Sequence, residues 1–297
     1  MRIKELDAFR GIAAMAVVLY HYTTGYNQIF DTSSKLNLSF GWLGVPLFFI
    51  LSGFVIHLTI DRSISVKHFL IKRFVRLYPT YWVALTITLT VMLAAGSMFE
   101  HSYFHISKLD VLANFTMWHQ FFHFNHIDGA YWSLLPELLF YCLMAFLLFI
   151  HKIKNFYWYN SILLLIGSIH IFFPIPIIGK ILGIHYILLF MIGLCFYRIH
   201  QKKATRYEHF LILLNLIVGV VLYQIEQPTH TVKIIFVTFV PIVLLFYLFI
   251  IKSLEDFNFN RELSICMAIL TSIFISYLIT YKIEPPFKKF IQKKIRH

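Results

Sequence analysis

Long apolar stretches, with the charged residues confined to short segments between them, constrain the fold of this chain more than any other feature. A membrane-spanning α-helix needs about 20 predominantly apolar residues, and the 297-residue sequence supplies about nine stretches of that kind. They lie at residues 7–24, 42–60, 78–96, 132–150, 158–174, 184–199, 209–224, 233–251 and 264–281. Only 13% of the residues are Asp, Glu, Lys or Arg, against about 25% in soluble domains. The sequence therefore predicts an all-α integral membrane protein, a polytopic bundle of about nine transmembrane helices that forms one domain over residues 1–297.

The basic residues predict the orientation of these helices, because cytoplasmic loops carry an excess of Lys and Arg. The richest segments precede the first stretch and lie after the second, fourth and sixth; they contain Arg2, Lys4, Arg62, Lys67, Lys72, Arg73, Arg76, Lys152, Lys154, Arg198, Lys202, Lys203 and Arg206. We therefore expect a cytoplasmic N-terminus, and we interpret the net charge of +12 as a topology signal rather than a nucleic-acid-binding surface. The basic tail at 282–296 should also be cytoplasmic, although nine helices would place it outside.

The first stretch carries a stripe of polar residues, which are costly to place within a bilayer. Asp7, Arg10, Ala14, Val17 and His21 follow one another by three or four residues, so they share one face of a helix. The small Ala14 and Val17 would leave a groove on this face, with Arg10 and His21 about 16 Å apart along the axis. Intramembrane charges usually face a partner or a cavity. The other interpretation is that Asp7 and Arg10 are interfacial anchors and His21 an interfacial aromatic residue.

The fourth stretch begins with a second polar face. Ser133, Glu137 and Tyr141 are spaced by four residues, which places them on one side of a helix. Counted from the outer ends of their helices, Glu137 and His21 lie at a similar depth, roughly 6–9 Å below the outer surface. A carboxylate within hydrogen-bonding reach would orient an imidazole and raise its basicity. The two residues are therefore a candidate base and its orienting group.

Arg73 and Arg76 lie on one helical face just before the third stretch, which Pro79 is predicted to open. Guanidinium groups bind phosphates through two parallel hydrogen bonds, so the pair is a candidate phosphate clamp on the cytoplasmic side. The alternative is an ordinary cluster of positive charges at the cytoplasmic surface. Both interpretations stay open on the sequence alone.

A run of histidines follows in and after the segment 110–122, which is apolar but interrupted by polar residues and is predicted to be lumenal or interfacial. His119, His123 and His126 have helical spacing, but a metal site would need a further ligand and supporting groups. We therefore favour an aromatic-rich interfacial segment and expect no metal. Three further histidines have no obvious partner and are interpreted as packing residues: His57, His170 and His185.

Five segments together resemble the signature motifs of the acyltransferase-3 family of membrane O-acyltransferases. They are Leu6-Asp7-Ala8-Phe9-Arg10-Gly11 with His21; Gly44-Val45-Pro46-Leu47-Phe48-Phe49-Ile50-Leu51-Ser52-Gly53-Phe54; Arg73 and Arg76 followed by Leu77-Tyr78-Pro79; Trp132-Ser133 with Glu137 and Phe140-Tyr141; and Glu284 with Pro286. Each motif alone is weak evidence, whereas five in the family's order are strong. We expect no fused hydrolase-like lumenal domain of the kind that some members carry.

The resemblance implies a membrane-bound O-acyltransferase of the bacterial inner (plasma) membrane. It implies that acetyl-CoA is the acyl donor on the cytoplasmic side, with no metal, and that the acceptor is a hydroxyl group of a surface polysaccharide, such as lipopolysaccharide, or of its lipid-linked precursor. Membrane lipid surrounds such a protein, and no nucleic-acid partner is expected. The site residues that follow are His21 and Glu137 as catalytic, Arg10, Arg73 and Arg76 as donor-binding, and Asp7, Ser133 and Tyr141 as supporting.

The sequence departs from the family near its C-terminus. The family usually has ten transmembrane helices, and the ninth, with the pattern Ser-Tyr-x-x-Tyr-Leu-x-His, is missing between about 252 and 263. Loss of one helix would explain why the basic tail conflicts with the predicted orientation. It also keeps two alternatives open: a non-catalytic or degenerate relative that acts in glycan export and, less favoured, a passive transporter.

Overall fold

The computed structural model describes residues 4–29, 38–61, 65–98, 106–201 and 206–226, together with the single residue Val243. Within these ranges the chain is helical and contains no β-strand. Five helical segments there are long and apolar enough to cross a membrane: Gly41–Ile60, Val66–Met98, Gly129–Phe149, Ile177–His200 and Arg206–Glu226. A sixth apolar helix, Phe156–Phe172, is shorter. The predicted all-α membrane architecture is confirmed.

The described residues form nine α-helices, numbered in chain order. They are α1 Lys4–Tyr20, α2 Tyr26–Ile29, α3 Gly44–Ile60, α4 Val66–Met98, α5 Lys108–Phe115, α6 Leu134–Phe149, α7 Phe156–Phe172, α8 Ile184–His200 and α9 Arg206–Glu226. Short 3-10 turns at Ser39–Leu43 and Gly129–Ser133 lead into α3 and α6. Two π-helical segments occur, at His21–Gly25 and Ile177–Ile181.

Seven of the nine predicted apolar stretches coincide with these helices. The last two, 233–251 and 264–281, lie outside the described residues apart from Val243. The missing helix and the side of the membrane that the basic tail occupies also concern that part of the chain, so both stay predictions.

α4 differs most from its prediction. The sequence predicts a helix over 78–96 that Pro79 opens, whereas α4 begins at Val66 and holds Pro79 in its interior. The segment 65–77 contains no glycine or proline, so nothing in it ends a helix. In lipid, a helix is also the conformation that satisfies its own backbone groups. Arg73 and Arg76 therefore lie within the helix rather than in a loop before it.

The chain divides into two compact units. Unit I contains the described residues of 1–17, 40–55 and 160–297, and unit II contains those of 18–39 and 56–159. Each unit holds its own set of buried polar contacts, and the units are described separately below.

In unit I, α3 and α8 cross at backbone contact distance through two glycines. An ideal Cβ atom on Gly53 would lie 2.0 Å from the carbonyl oxygen of Phe190, and one on Gly193 would lie 2.0 Å from that of Ile50. Helices in membranes associate through small residues of this kind, since these let two backbones approach closely. The last glycine of the second resemblance motif therefore has a packing role.

In unit II, α4 and α6 pack antiparallel, with aromatic side chains along the contact. The ring centroids of Phe69 and Tyr141 lie 6.4 Å apart, and farther along those of Tyr81 and Tyr131 lie 5.1 Å apart. The hydroxyl oxygens of Tyr131 and Thr88 are 3.2 Å apart. This alignment decides which residues of the two helices lie at the same level.

The segment predicted to be lumenal or interfacial folds as the short helix α5 and a loop that Asn114 holds together. The buried Asn114 side chain donates to the carbonyl oxygens of Asp110 and Asn125 and accepts from the backbone N–H of Ile127. The Tyr81 hydroxyl donates to the Asn114 carbonyl oxygen at 2.6 Å. These bonds fix the loop to the middle of α4.

Candidate functional site

Arg73 is a buried charge with incomplete hydrogen bonding. It lies in α4 and is 4% exposed. Its Nη2 atom donates to the hydroxyl of Thr59 near the end of α3. Within the described residues, its Nε and Nη1 atoms are buried and have no hydrogen-bond partner. Burying a charge is costly unless it is paired, so these two donors are suited to an anionic or carbonyl group of a ligand.

Tyr141 links Arg73 to Glu137. The Cζ atom of Arg73 lies 5.4 Å from the centroid of the Tyr141 ring and 5.7 Å from that of Phe69, within the range of cation–π attraction. The Tyr141 hydroxyl donates to Oε1 of Glu137, one turn away on α6. The charges of Arg73 and Glu137 also interact. The three side chains form one polar cluster, the Arg73–Tyr141–Glu137 cluster.

This cluster differs from the arrangement expected from the sequence. We expect Arg73 on the cytoplasmic side and Glu137 near the outer surface, whereas both contact Tyr141. The physical reason is the early start of α4, which places Arg73 in the spanning helix, at the level of the middle of α6. Arg73 and Glu137 therefore share one layer of unit II.

Arg76 lies one turn farther along α4 and is exposed. Its charge interacts with that of Arg73. The two guanidinium groups of the predicted phosphate clamp thus have different surroundings, because one is buried in the cluster and the other is accessible. Binding of a donor by both arginines stays a prediction.

His21 begins a π-helical segment. α1 ends at Tyr20, and the chain continues as a π-helix over His21–Gly25 before the short α2. The imidazole is half-buried, packs edge-on against the Tyr20 ring at 5.5 Å between centroids, and has its Nδ1 atom 3.6 Å from an ideal Cβ on Gly25. π-Helical turns are rare and frequently occur at functional sites. The π-helical backbone therefore indicates that His21 is a candidate functional residue. Its pairing with Glu137 stays a prediction.

Thr23 gives a local reason for this wide turn. Its hydroxyl donates to the carbonyl oxygen of Leu19 at 2.7 Å and accepts from the backbone N–H of Leu38 at 3.2 Å. A threonine hydroxyl that bonds the carbonyl four residues earlier competes with the helical backbone bond and often bends the helix. The sequence thus places the turn next to His21.

The polar stripe on α1 is only partly as expected. Nη1 of Arg10 donates to Oδ1 of Asp7 at 3.1 Å, so the two charges pair along the helix, and a donor-binding role of Arg10 stays a prediction. The predicted groove is wrong at Val17, where Cγ2 would lie 2.7 Å from an ideal Cβ on Gly44. Ala14 is exposed. Packing of α1 against the start of α3 fills the place that the groove would need.

Ser133 ends the 3-10 turn ahead of α6. Its hydroxyl donates to the carbonyl oxygen of Ala130 at 3.1 Å, and Asp128 begins the same turn by accepting from the Ala130 N–H at 2.8 Å. Three residues are predicted to share one face of α6. Of these, Glu137 and Tyr141 bond to each other, whereas Ser133 stabilises the turn that precedes the helix.

Two histidines of the predicted interfacial segment contact each other. Nε2 of His119 lies 2.7 Å from Nδ1 of His126, and His119 is 1% exposed. Burial, and next the neighbouring His126, lower the pKa of His119 to about 4, and burial also lowers the pKa of His126. The pair is therefore neutral at pH 7, with one N–H and one unprotonated nitrogen facing each other.

Two polar contacts are not predicted from the sequence. Thr59 accepts from Arg73, and His170, interpreted as a packing residue, has its Nε2 atom 2.9 Å from Oε1 of Glu226. Each pair joins residues that are far apart in the chain, so no spacing signals it. The one available hint is that His170 and Glu226 both lie at the ends of apolar stretches, where a polar side chain needs a reason.

These features define a class of protein. The chain is a polytopic helical membrane protein in which an Arg–Tyr–Glu cluster and a histidine at a π-helical turn belong to the same unit, unit II. The family model described as an acyltransferase domain, that of acyltransferase 3, matches residues 3–293. The chain therefore belongs to the acyltransferase-3 family, as the five motifs predict.

Three similar proteins carry related names. The peptidoglycan O-acetyltransferase OatA of Listeria monocytogenes is 29% identical over 177 residues, which are 52% of this chain and 25% of OatA. A protein of Acidianus two-tailed virus, named as a candidate acetyltransferase, is 29% identical over 177 residues, 57% of this chain and 45% of that protein. A candidate O-acetyltransferase of Staphylococcus aureus is 28% identical over 183 residues, 54% of this chain and 28% of that protein.

The chain thus spans 25% to 45% of the length of these relatives. No solved structure matches it.

Proposed function

We propose that this chain is a membrane-bound O-acyltransferase that transfers an acetyl group from acetyl-CoA to a hydroxyl group of a cell-surface polysaccharide or its lipid-linked precursor. The observation that carries the proposal is the buried guanidinium of Arg73, beside Tyr141 and Glu137, with two donors that have no hydrogen-bond partner among the described residues. Membership of the acyltransferase-3 family and the names of the relatives support the reaction class. Location in the bacterial inner membrane belongs to the proposal, and the distribution of Lys and Arg supports a cytoplasmic N-terminus.

The arginines fit the chemistry of the donor. Acetyl-CoA carries phosphate groups at one end and a thioester carbonyl at the other. The exposed Arg76 and the partly exposed Arg10 suit the phosphates, because a guanidinium group binds them through two parallel hydrogen bonds. The Nε and Nη1 atoms of Arg73, which no described residue pairs, suit the thioester oxygen, which gains negative charge as the carbonyl carbon is attacked.

His21 is the proposed general base. Its neutral imidazole accepts the proton of the acceptor hydroxyl while the hydroxyl oxygen attacks the thioester carbonyl carbon. The carbon–sulfur bond then breaks, and the imidazolium returns the proton to the sulfur of CoA. Glu137 would orient the ring and stabilise its charged form. A two-step reaction, in which the acetyl group first bonds to His21 and then moves to the hydroxyl, uses the same residues.

A transfer assay tests this function on the full chain in lipid nanodiscs. Acetyl-CoA labelled in the acetyl group is mixed with glycan precursors isolated from the host, and label in the glycan is counted. We expect transfer by the wild-type protein and a loss of at least a hundredfold in His21→Ala, because a general base contributes about 10²–10⁴-fold. The matched control is His151→Asn, at an exposed loop histidine with positive φ, a conformation that Asn adopts readily.

Two results would contradict the proposal. Equal transfer by His21→Ala and the wild-type protein would remove His21 from the mechanism. No transfer by a folded wild-type protein that binds acetyl-CoA would instead support the alternative of a non-catalytic relative.

A further inference from the structure

A second polar cluster lies in unit I, where α7 and α9 end and α8 begins. Its members are His170, His185 and Glu226, and the two histidines are buried. In the orientation that the Lys and Arg distribution predicts, these three helix ends lie on the outer side of the membrane. The cluster is separate in sequence and in unit from the Arg73–Tyr141–Glu137 cluster.

The hydrogen bonds of His170 fix its tautomer. Its Nδ1 atom accepts from the backbone N–H of Ile175 at 2.9 Å, so this nitrogen carries no proton. The ring proton is therefore on Nε2, which donates to Oε1 of Glu226 at 2.9 Å. His170 thus holds one carboxylate oxygen of Glu226 in place.

His185 has no hydrogen-bond partner for its ring among the described residues. Both of its ring nitrogens are buried, and the ring is near enough to His170 for the two to interact electrostatically. Its ring packs edge-on against Tyr223 at 5.7 Å between centroids, and Tyr223 stacks on Trp42 at 5.7 Å. A neutral imidazole offers one N–H donor and one acceptor nitrogen. Buried polar atoms usually have partners, so a ligand is the expected partner of this ring.

Gly179, in the π-helical segment before α8, provides the space for the cluster. An ideal Cβ atom on Gly179 would lie 1.9 Å from Oε1 of Glu226 and 2.7 Å from Nε2 of His170. Any side chain here would displace the carboxylate. The His170–Glu226 pair therefore depends on a glycine at this position.

The chemistry of the cluster selects among ligand classes. An anion would be repelled by Glu226. A metal ion would find too few ligands, because Nε2 of His170 is protonated and the described residues, these three included, contain no three His, Cys, Asp or Glu side chains placed to hold one ion. A neutral compound with adjacent hydroxyl groups fits, because each hydroxyl both donates and accepts. One could donate to Glu226 while another exchanges hydrogen bonds with His185.

We propose that the His170–His185–Glu226 cluster binds a sugar unit of the acceptor glycan on the outer side of the membrane. This inference rests on the proposed acyltransferase function, since it assigns a site to the acceptor of that reaction. Binding is by hydrogen bonds alone, and the cluster takes no part in breaking or forming the acetyl bond.

A direct binding experiment tests the proposal without requiring acetyl transfer. Tritiated chitotetraose, a chain of four N-acetylglucosamine units, is dialysed to equilibrium against the full chain in lipid nanodiscs, and acetyl-CoA binding is measured in parallel. We expect Glu226→Gln, His185→Phe and Gly179→Ala to weaken chitotetraose binding at least tenfold and to leave acetyl-CoA binding within twofold. The control Asn215→Leu breaks the bond from Asn215 to Asn160 in the same unit and should bind chitotetraose within twofold of the wild-type protein.

The wild-type protein provides a second measurement that does not depend on the folding of any variant. Chitotetraose should protect backbone amides at 173–186 from hydrogen exchange. Unchanged binding by Glu226→Gln, no binding by the wild-type protein, or protection confined to other segments would each overturn the proposal. Because acetyl-CoA binding is read separately, these results are distinguishable from a failure of the proposed acyltransferase function.

Discussion

The guanidinium carbon of Arg73 lies 5.4 Å from the centroid of the Tyr141 ring, and the hydroxyl of the same tyrosine donates to Glu137. Tyr141 therefore contacts a cation through its ring face and a carboxylate through its hydroxyl. The hydroxyl also interacts electrostatically with Arg73. Removing the hydroxyl affects Glu137 and leaves the ring beneath Arg73.

We predict that Tyr141→Phe lowers kcat for acetyl transfer by about 10–100-fold and changes KM for acetyl-CoA little. A hydrogen bond to a charged group contributes about 1.5–3 kcal/mol, and about 1.4 kcal/mol corresponds to a factor of ten in rate. Steady-state kinetics with labelled acetyl-CoA measure both constants. The control is Tyr207→Phe, at a tyrosine that is 69% exposed, which should match the wild-type protein. An unchanged kcat in Tyr141→Phe would show that the bond to Glu137 has no part in the reaction.

We predict that Arg73→Met abolishes donor-dependent transfer and yet does not lower the stability of the protein. Burying the charge of an Arg within a membrane helix is costly, up to roughly 2.5–3.5 kcal/mol at the helix centre, and the Nε and Nη1 atoms of Arg73 have no partner among the described residues to offset it. Methionine keeps much of the volume and removes the charge. Unfolding in increasing fractions of a denaturing detergent measures the stability.

The same substitution at Arg198 is the matched control, with the opposite expectation. Nε of Arg198 lies 2.7 Å from Oε1 of the buried Glu208. Breaking a buried pair from one side costs about 3–5 kcal/mol, because the remaining buried charge loses its ion-pair partner. If Arg73→Met destabilises the protein as much as Arg198→Met, the guanidinium of Arg73 is satisfied in the resting protein and is not held ready for a ligand.

The sequence predicts contacts within one helix better than contacts between helices. The spacing of Glu137 and Tyr141 predicts their shared face, because i and i+4 positions are neighbours on any α-helix. The contact of Arg73 with Tyr141 depends on how α4 aligns with α6, and that alignment depends on where α4 begins. Pro79 suggests a start at the wrong place, since a proline is tolerated inside a membrane helix when neighbouring groups satisfy the backbone. The bond between His170 and Glu226 is unpredictable for the same reason.

The acyltransferase-3 motifs predict the family, but they do not predict the physical role of each residue. The last glycine of the second motif, Gly53, is a packing residue between α3 and α8. His21 stands at a π-helical turn, which the family motif around it does not predict. A motif records which residues occur together, whereas backbone geometry and helix alignment decide which of them touch.

We predict that Gly53→Ala and Gly193→Ala each destabilise the protein by about 1–3 kcal/mol, the usual cost of an overpacked contact. In each case the new methyl group would lie 2.0 Å from a carbonyl oxygen of the opposite helix, so α3 and α8 must separate. The control is Gly11→Ala in α1, where nothing lies within 4 Å of the added Cβ atom. Alanine is favoured over glycine in a helix interior by roughly 0.5–1 kcal/mol, so this variant should be at least as stable as the wild-type protein. Equal loss in all three variants would contradict the close crossing.

Finally, we predict that the loop held by His119 and His126 becomes less stable as the pH falls from 7.5 to 5. The pKa of His119 is about 4 in the folded protein, because of burial and the neighbouring His126, against about 6.5 in an unfolded chain. Between these values the unfolded chain binds a proton that the folded chain does not, so the free energy of unfolding falls with decreasing pH. The loss is about 2 kcal/mol at pH 5 for His119, and the lowered pKa of His126 acts in the same direction.

Hydrogen exchange of the backbone amides of 108–128 measures this stability. It is followed at both pH values and corrected for the intrinsic exchange rates. His119→Phe should lose most of the pH dependence, because the residue that binds the extra proton is gone. His123→Asn should keep it, since His123 is exposed and its positive φ suits Asn. If His119→Phe shows the same pH dependence as the wild-type protein, another group destabilises the loop in acid, and His119 is not its source.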